Sequence, residues 1–361
     1  MSEFLISLAW FLLFTGGAIY LAYNRVSLLS STTTMGAILV AYLLYGDWHP
    51  LWALLLIIAF GALVVPNLLE FRREKITRPA LDIYRTMLPS MSDTEKEALE
   101  AGNTWWDGEL FSGMPQWDKL MSFPAPALSE EEQAFLDGPC EKLCSMLDDW
   151  DISHVRGDLP PDVWEFMKKH KFFAMIIPKK YGGLEFSAHA NAMVIAKLAS
   201  RNSTVSSTVG VPNSLGPAEL LLHYGSEEQK DHWLPGLASG DEIPCFALTS
   251  PQAGSDAAAL IDSGVVCKGT FDGKQIVGIK LNWEKRYITL APVATVLGLA
   301  FKLYDPDHLI GDKDEYGITA ALIPTDLPGI EIGRRHNPLS IPFQNGPTSG
   351  SDVFVPLDFI I

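Results

Sequence analysis

The pattern of apolar and polar positions divides the chain into zones of different period. Residues 4–23 carry no charge, and a run of about twenty apolar residues matches the roughly 30 Å hydrocarbon core of a bilayer. Residues 26–46 are again uncharged, with Ser30 to Thr34 diluting their first half. Beyond the turn Gly46-Asp47-Trp48-His49-Pro50, residues 51–65 are strongly apolar. This predicts three membrane spans, with two as the alternative because the second and third are short or diluted. A buried hairpin is a poor rival, since no nearby segment is large enough to cover three such runs. A secretory signal is excluded, because the start carries Glu3 without Lys or Arg and the run ends at bulky Tyr23. Arg72, Arg73, Lys75 and Arg78 follow the last run, while the 46–50 turn has no cation. That asymmetry places the remaining body on the cytoplasmic side of a bacterial inner membrane. Trp48 and Trp52 sit where interfacial aromatics would.

After this anchor, 1–69, residues 70–128 read as a connector rich in turn residues and tryptophan. It holds one short helix, opened by the capping box Ser92-Asp93-Thr94-Glu95 and stopped at Gly102. Trp105, Trp106 and Trp117 lie among Gly108, Gly113 and Pro115 with no regular period, as in a segment laid over another surface. From 129 to 242 the period is helical. Helices are predicted from Ser129 to an interruption at Gly138-Pro139, then at 141–150, 162–170, 188–200, 217–224 and 226–234. From 243 to 361 the period is that of strands, at 265–268, 275–281, 287–290, 293–303, 318–323, 330–332 and 353–355, with a hairpin at Asp272-Gly273. A helical block followed by short strands is an α+β arrangement rather than alternating βαβ. There is no GxGxxG or GxxxxGK[ST]. The expected fold is therefore N-terminal transmembrane helices, an all-α domain and an antiparallel β-barrel-like domain.

Charge sharpens this division. Lys and Arg total 27 against 43 Asp and Glu, a formal charge of −16. That balance excludes a nucleic-acid partner, which needs a basic face. Residues 1–66 hold only Glu3, Arg25 and Asp47, so the acidity belongs to the body. Cys140, Cys144, Cys245 and Cys267 form no CxxC pair and have no His at ligand spacing. They read as packing residues in a reducing compartment, and no metal site is expected.

Two runs carry candidate chemistry. Ala247-Leu248-Thr249-Ser250-Pro251-Gln252-Ala253-Gly254-Ser255-Asp256 leaves a strand through Pro251 into a loop of small residues. Such a loop presents backbone N–H groups and hydroxyls to a flat or phosphorylated ligand, although a polar turn between strands has the same composition. In Lys280-Leu281-Asn282-Trp283-Glu284-Lys285-Arg286-Tyr287-Ile288-Thr289, an aromatic ring beside a Thr hydroxyl suits the face and edge of a heteroaromatic ring, and an amphipathic strand is the plain alternative. Arg334-Arg335-His336 is a candidate for offsetting the negative field toward an anionic ligand.

Together these runs resemble the acyl-CoA dehydrogenase family, whose members carry an ALTEPxAGSD-like strand-loop and, some thirty residues on, a Lys-x-Trp-Ile-Thr segment. The turn Tyr181-Gly182-Gly183, the run Tyr224-Gly225-Ser226-Glu227-Glu228-Gln229-Lys230 and the closing Asp352-Val353-Phe354-Val355-Pro356 add to the likeness, which covers about residues 130–361. With its apolar start the chain looks most like the long, membrane-associated member of bacterial β-oxidation.

The resemblance implies the family fold lacking its C-terminal helical domain, FAD as cofactor, and oxidation of medium- or long-chain acyl-CoA to trans-2-enoyl-CoA. It implies an electron-transfer flavoprotein as acceptor and a homo-oligomer for the full-length protein. Phe246, Leu248 and Thr249 inherit contacts with the flavin pyrimidine edge. Ser255 inherits contact with flavin phosphate or acyl-CoA, and Tyr287, Ile288 and Thr289 inherit the flavin ring. Ser250 stands where the family usually has Glu, and Tyr287 where it has Trp. The family's catalytic Glu belongs to the C-terminal domain, so no catalytic residue is nominated, and the chain reads as an N-terminal fragment. The rival reading is a non-catalytic, membrane-bound acyl-CoA- or flavin-binding module.

Overall fold

The computed structural model describes every residue except 1, 47–48, 89–90, 92–95, 97–98, 103 and 215, and leaves out the side chains of 2 and 3. The predicted cap at 92–95 and the interfacial Trp48 lie outside the described residues. The chain divides into two compact units, Met1–Met91 and Ser92–Ile361.

The first unit opens with α1 (Ser2–Tyr23), α2 (Leu28–Tyr45) and α3 (Pro50–Val64). Three segments, Phe4–Tyr23, Leu28–Tyr45 and Pro50–Asn67, are long and apolar enough to cross a membrane. Ser27 caps α2 by accepting from the Ser30 N–H, and Pro50 occupies the first turn of α3, where its missing N–H costs nothing. Their side chains invert the usual globular pattern: Phe4, Phe11, Ile19 and Ile58 all face outward. Some polar side chains of this unit pair within it. Asn67 Nδ2 donates to Thr32 Oγ1 at 2.9 Å, and that hydroxyl donates to the Leu28 carbonyl at 2.8 Å. Residues 69–87, α4, continue the unit as Leu69–Phe71, a π-helical segment Arg72–Thr77, and Arg78–Met87. The expected irregular connector is thus helical at its start. Closely spaced cations obscured an amphipathic period there.

In the second unit, residues 130–146 form a nearly continuous helix. Gly138-Pro139 does not break it, because the chain widens into a π-turn, Leu136–Cys140, that takes up the proline. Its N-terminus carries an unusual double cap. Glu132 accepts from the Ser129 N–H at 2.8 Å through one carboxylate oxygen and from the Ser187 N–H at 2.7 Å through the other. One side chain thereby caps this helix and docks the start of Ala188–Arg201 beside it. These backbone N–H groups pull the Glu132 pKa down to about 2.

Pro161–Lys169, Pro217–Tyr224 and Glu227–Ser239 lie close to expectation, the last continuing through Pro235. Ser203–Gly210 is a helix that the period did not reveal, since its buried face mixes Thr204 and Thr208 with Val205 and Val209. The core of this block is close-packed by Leu143, Val163, Met167, Phe172, Val194 and Leu198.

The sheet comprises β1 (Pro244–Ala247), β2 (Ser263–Phe271), β3 (Lys274–Thr289), β4 (Val296–Tyr304), β5 (Glu315–Pro324), β6 (Ile330–Ile332) and β7 (Asn345–Pro356). It is ordered β1-β4-β2-β3-β7-β6, with β5 also on β4. The antiparallel expectation is corrected in part. β4 runs parallel to β1 over its first half and to β2 over its last residues, and pairs antiparallel with β5 along its length. The 248–262 loop carries the chain from β1 past the place of β4 to β2, and β3 returns it before β4, so β1, β2 and β4 run the same way. The Asp272-Gly273 hairpin forms as predicted, both residues having positive φ. The expected gap at 282–286 is closed, because β3 runs unbroken through Trp283 and Lys285, whose side chains alternate inward.

Candidate functional site

The two chemistry-bearing runs meet. β1 delivers Phe246 and then Leu248 and Thr249 to the end of the sheet, where the Arg286 N–H donates to the Thr249 carbonyl at 3.0 Å. One residue earlier on each side, Lys285 Nζ donates to the Leu248 carbonyl at 2.9 Å. Thr249 and Tyr287-Ile288-Thr289 therefore share one edge. The Thr249 hydroxyl makes no hydrogen bond to the described residues, whereas Thr289 Oγ1 accepts from Asn345 Nδ2 at 3.3 Å. Ser255, in the same run as Thr249, lies exposed in the loop beyond Pro251.

The aromatic run sits on a β-bulge. β3 and β7 pair at Lys285–Thr348 and again at Ile288–Gly346, so β3 holds one residue more than its partner. Tyr287 absorbs the extra residue with φ +59°. Ile288 consequently turns into the core while Tyr287 stays 56% exposed. Its ring lies 4.9 Å from that of His336 and 5.1 Å from the Arg286 guanidinium. Asn345 fixes the bulge by donating to the Tyr287 carbonyl at 3.0 Å, and its Oδ1 lies 3.1 Å from His336 Nδ1.

Beneath the bulge is a buried polar cluster that the sequence reading missed. Lys285 Nζ lies 2.5 Å from Asp262 Oδ2 and 3.2 Å from Ser250 Oγ, which itself donates to Asp262 Oδ2. The other Asp262 oxygen accepts from the Glu284 N–H at 2.9 Å. Burial pushes the Lys285 pKa down, and the Asp262 carboxylate opposes that shift. The carboxylate that balances this lysine thus comes from Asp262, while the neighbouring position 250 holds a hydroxyl. The available signal was Lys285 itself, a cation on the inward side of a strand with Trp283 two residues before it.

A groove of about 570 Å³ opens beside the cluster, lined in part by Pro251, Trp283, Arg286 and Thr348. Trp283 Nε1 and Thr348 Oγ1 are buried there without a partner among the described residues. Unsatisfied polar atoms of this kind call for a ligand or solvent. With an uncommitted Thr249 hydroxyl and an exposed aromatic ring beside a guanidinium, the edge fits a flat, hydrogen-bonding, anionic group.

Arg335 is already engaged. Its Nη2 donates to the Gly157 and Pro342 carbonyls, and Nη1 lies 3.5 Å from Asp158. Gln344 also donates to Asp158, at 2.7 Å, so this corner ties the sheet to the helical block. Arg334 remains exposed. All four cysteines are free thiols. Burial pushes both Cys140 and Cys245 up to about 12, which makes them poor nucleophiles.

Residues 129–241 match the acyl-CoA dehydrogenase N-terminal domain, and residues 245–353 match the acyl-CoA dehydrogenase middle domain. The chain belongs to the acyl-CoA dehydrogenase family. Over 191 residues it is 28% identical to an acyl-CoA dehydrogenase of Bacillus subtilis, covering 53% of this chain and 46% of that protein. Over 272 residues it is 27% identical to the mouse mitochondrial very long-chain specific acyl-CoA dehydrogenase, covering 74% of this chain and 40% of the relative. A stretch of 62 residues is 68% identical to Protein HemX of Proteus mirabilis, 17% of this chain and 36% of that protein. The chain thus spans less than half the length of these relatives. Among solved structures, an acyl-CoA dehydrogenase from Geobacillus kaustophilus superposes with a TM-score of 0.54 at 27% identity, covering 66% of this chain and 60% of the other. The acyl-CoA dehydrogenase fold is present in its helical N-terminal domain and curled middle sheet.

Proposed function

We propose that the full protein is a membrane-anchored, FAD-dependent acyl-CoA dehydrogenase that oxidises medium- or long-chain acyl-CoA to trans-2-enoyl-CoA and passes electrons to an electron-transfer flavoprotein. The observation that carries this reading is the hydrogen bond from Arg286 to Thr249, which joins the two family motifs into one edge with a free hydroxyl and an open aromatic face. FAD, when bound, supplies the two-electron acceptor. The chain's part is to hold it. Phe246, Leu248 and Thr249 address the pyrimidine edge, Tyr287, Ile288 and Thr289 the ring, and Ser255 a phosphate or the acyl-CoA. Trp283 Nε1 and Thr348 Oγ1 are further donors at this edge. The α-proton of a thioester is weakly acidic, so its removal needs a carboxylate base and donors to the carbonyl. We nominate no Glu of this chain for that role, since none stands in a matching motif.

Three apolar helices followed by a cation cluster support attachment to a bacterial inner membrane with the body in the cytoplasm. An anchor suits poorly soluble acyl chains.

The reading is tested on the detergent-purified chain titrated with FAD. The expected result is quenching of flavin fluorescence that Thr249→Val with Tyr287→Ala abolishes, the variant keeping its circular dichroism. A folded wild-type chain that leaves flavin emission unchanged overturns it. Protease treatment of intact inner-membrane vesicles checks the side, and cleavage from the periplasmic face alone defeats the orientation.

A further inference from the structure

α4 has a face that nothing in its own unit covers. In Arg78–Met87, Ala80, Leu81, Ile83, Tyr84 and Met87 fall on one side of the helix at about 100° per residue, with Arg78, Asp82 and Arg85 on the other. Ile83 is 65% exposed, Tyr84 59% and Met87 76%. Upstream, the π-helical turn carries Arg72, Arg73 and Lys75 beside exposed Phe71 and Ile76. Along 69–87, cations outnumber anions five to three, and one of the anions, Asp82, pairs with Arg85 on the polar side. A helix of this kind in water would be a liability, since its apolar side is too broad to leave wet.

We infer that α4 lies in the headgroup region of an anionic leaflet, its Ile83–Tyr84–Met87 side in the acyl boundary and its arginines on lipid phosphates. Two observations choose a lipid surface over a protein partner. The helix follows the third apolar span, Pro50–Asn67, after Leu68 alone, so it begins where that span reaches the interface. The cations also cluster in the turn next to the span, where the surface potential of an anionic leaflet is strongest. An amphipathic, cation-bearing helix is the form that lies in the interface plane.

The inference rests on the membrane reading above, and its test separates the two. The full chain is reconstituted in nanodiscs of phosphatidylcholine, or of phosphatidylcholine with one-third phosphatidylglycerol, and amide hydrogen exchange is followed by peptide. Slow exchange in α1, α2 and α3 with both lipids reports the spans, and its loss would sink the membrane reading itself. With the spans protected, residues 76–88 should exchange at least tenfold more slowly in the phosphatidylglycerol discs. Arg72→Glu with Arg73→Glu should erase that difference, and Ile83→Ser with Tyr84→Ser should abolish protection in both lipids. Equal exchange of 76–88 in the two lipids, whether fast or slow, overturns the proposal, because cover by the body or by a second copy does not depend on headgroup charge.

Discussion

Lys285 and Asp262 form an ion pair in the interior of the middle domain, Nζ 2.5 Å from Oδ2, with side chains 0% and 2% exposed. A buried pair adds little over an apolar substitute, but losing one partner is costly because the other charge stays behind. Asp262→Asn should therefore destabilise by about 3–5 kcal/mol, read as a lower urea midpoint at unchanged slope. Ser250 Oγ already lies 3.2 Å from the same ammonium, so Ser250→Glu should recover part of the loss in an Asp262→Ser background. A double variant no more stable than Asp262→Ser would show that position 250 cannot present a carboxylate to Lys285.

Glu132 gives a pH signature. Its pKa is lowered from 4.5 to about 2 by the Ser129 and Ser187 N–H groups, so its contribution is complete above the unfolded value and fades as pH falls toward 2. Glu132→Gln should cost on the order of 2–3 kcal/mol at pH 7 and should flatten the acid limb of the stability curve. Thermal unfolding at pH 7, 4 and 3 checks both statements. A variant that stays as pH-sensitive as the wild type between pH 4.5 and 3 removes Glu132 from that role.

Much of this was legible in local signals. Ser129 and Ser226 announced their helices because an N-cap works through contacts three residues away, and Asp272-Gly273 announced its hairpin because both residues tolerate positive φ. The motif at 247–256 and the run ending at Thr289 were readable as candidate ligand contacts. Their meeting through Arg286 and Thr249 was not, because register across strands far apart in sequence leaves no local trace. The Asp262–Lys285 pair was hidden for the same reason. Ser203–Gly210 hid its period because Thr204 and Thr208 are polar residues on its buried face, and α4 concealed its stripe among closely spaced cations.

Arg334 and Arg335 look alike in sequence and should behave differently. Arg335 joins Gly157, Asp158 and Pro342, so Arg335→Ala should lower stability by about 1–2 kcal/mol through partly buried acceptors left unsatisfied. Arg334 is exposed, and Arg334→Ala should leave stability within about 0.5 kcal/mol. If the loop attracts an anionic acyl-CoA, Arg334→Ala alone should flatten the dependence of binding on salt. Calorimetric titration with palmitoyl-CoA at two ionic strengths, beside a melting curve for each variant, separates the two roles. An unchanged salt slope in Arg334→Ala dismisses the electrostatic one.

The bulge makes an unusual demand at Tyr287. At φ +59° a side-chain-bearing residue is strained by roughly 1 kcal/mol, and that strain is held in place by Asn345 and by the pairings at Lys285 and Ile288. In an ordinary strand Gly is worse than Ala by about 0.5–1 kcal/mol. Here the order should reverse, with Tyr287→Gly more stable than Tyr287→Ala by about 1 kcal/mol, since both lose the His336 contact and only Gly relaxes the backbone. Flavin binding should nevertheless be weakened in both, because the open aromatic face is gone. Paired denaturation curves and flavin titrations on the two variants decide the matter. Equal stabilities would mean the bulge is not strained, and wild-type flavin affinity in the Gly variant would mean the ring at 287 does not face the cofactor.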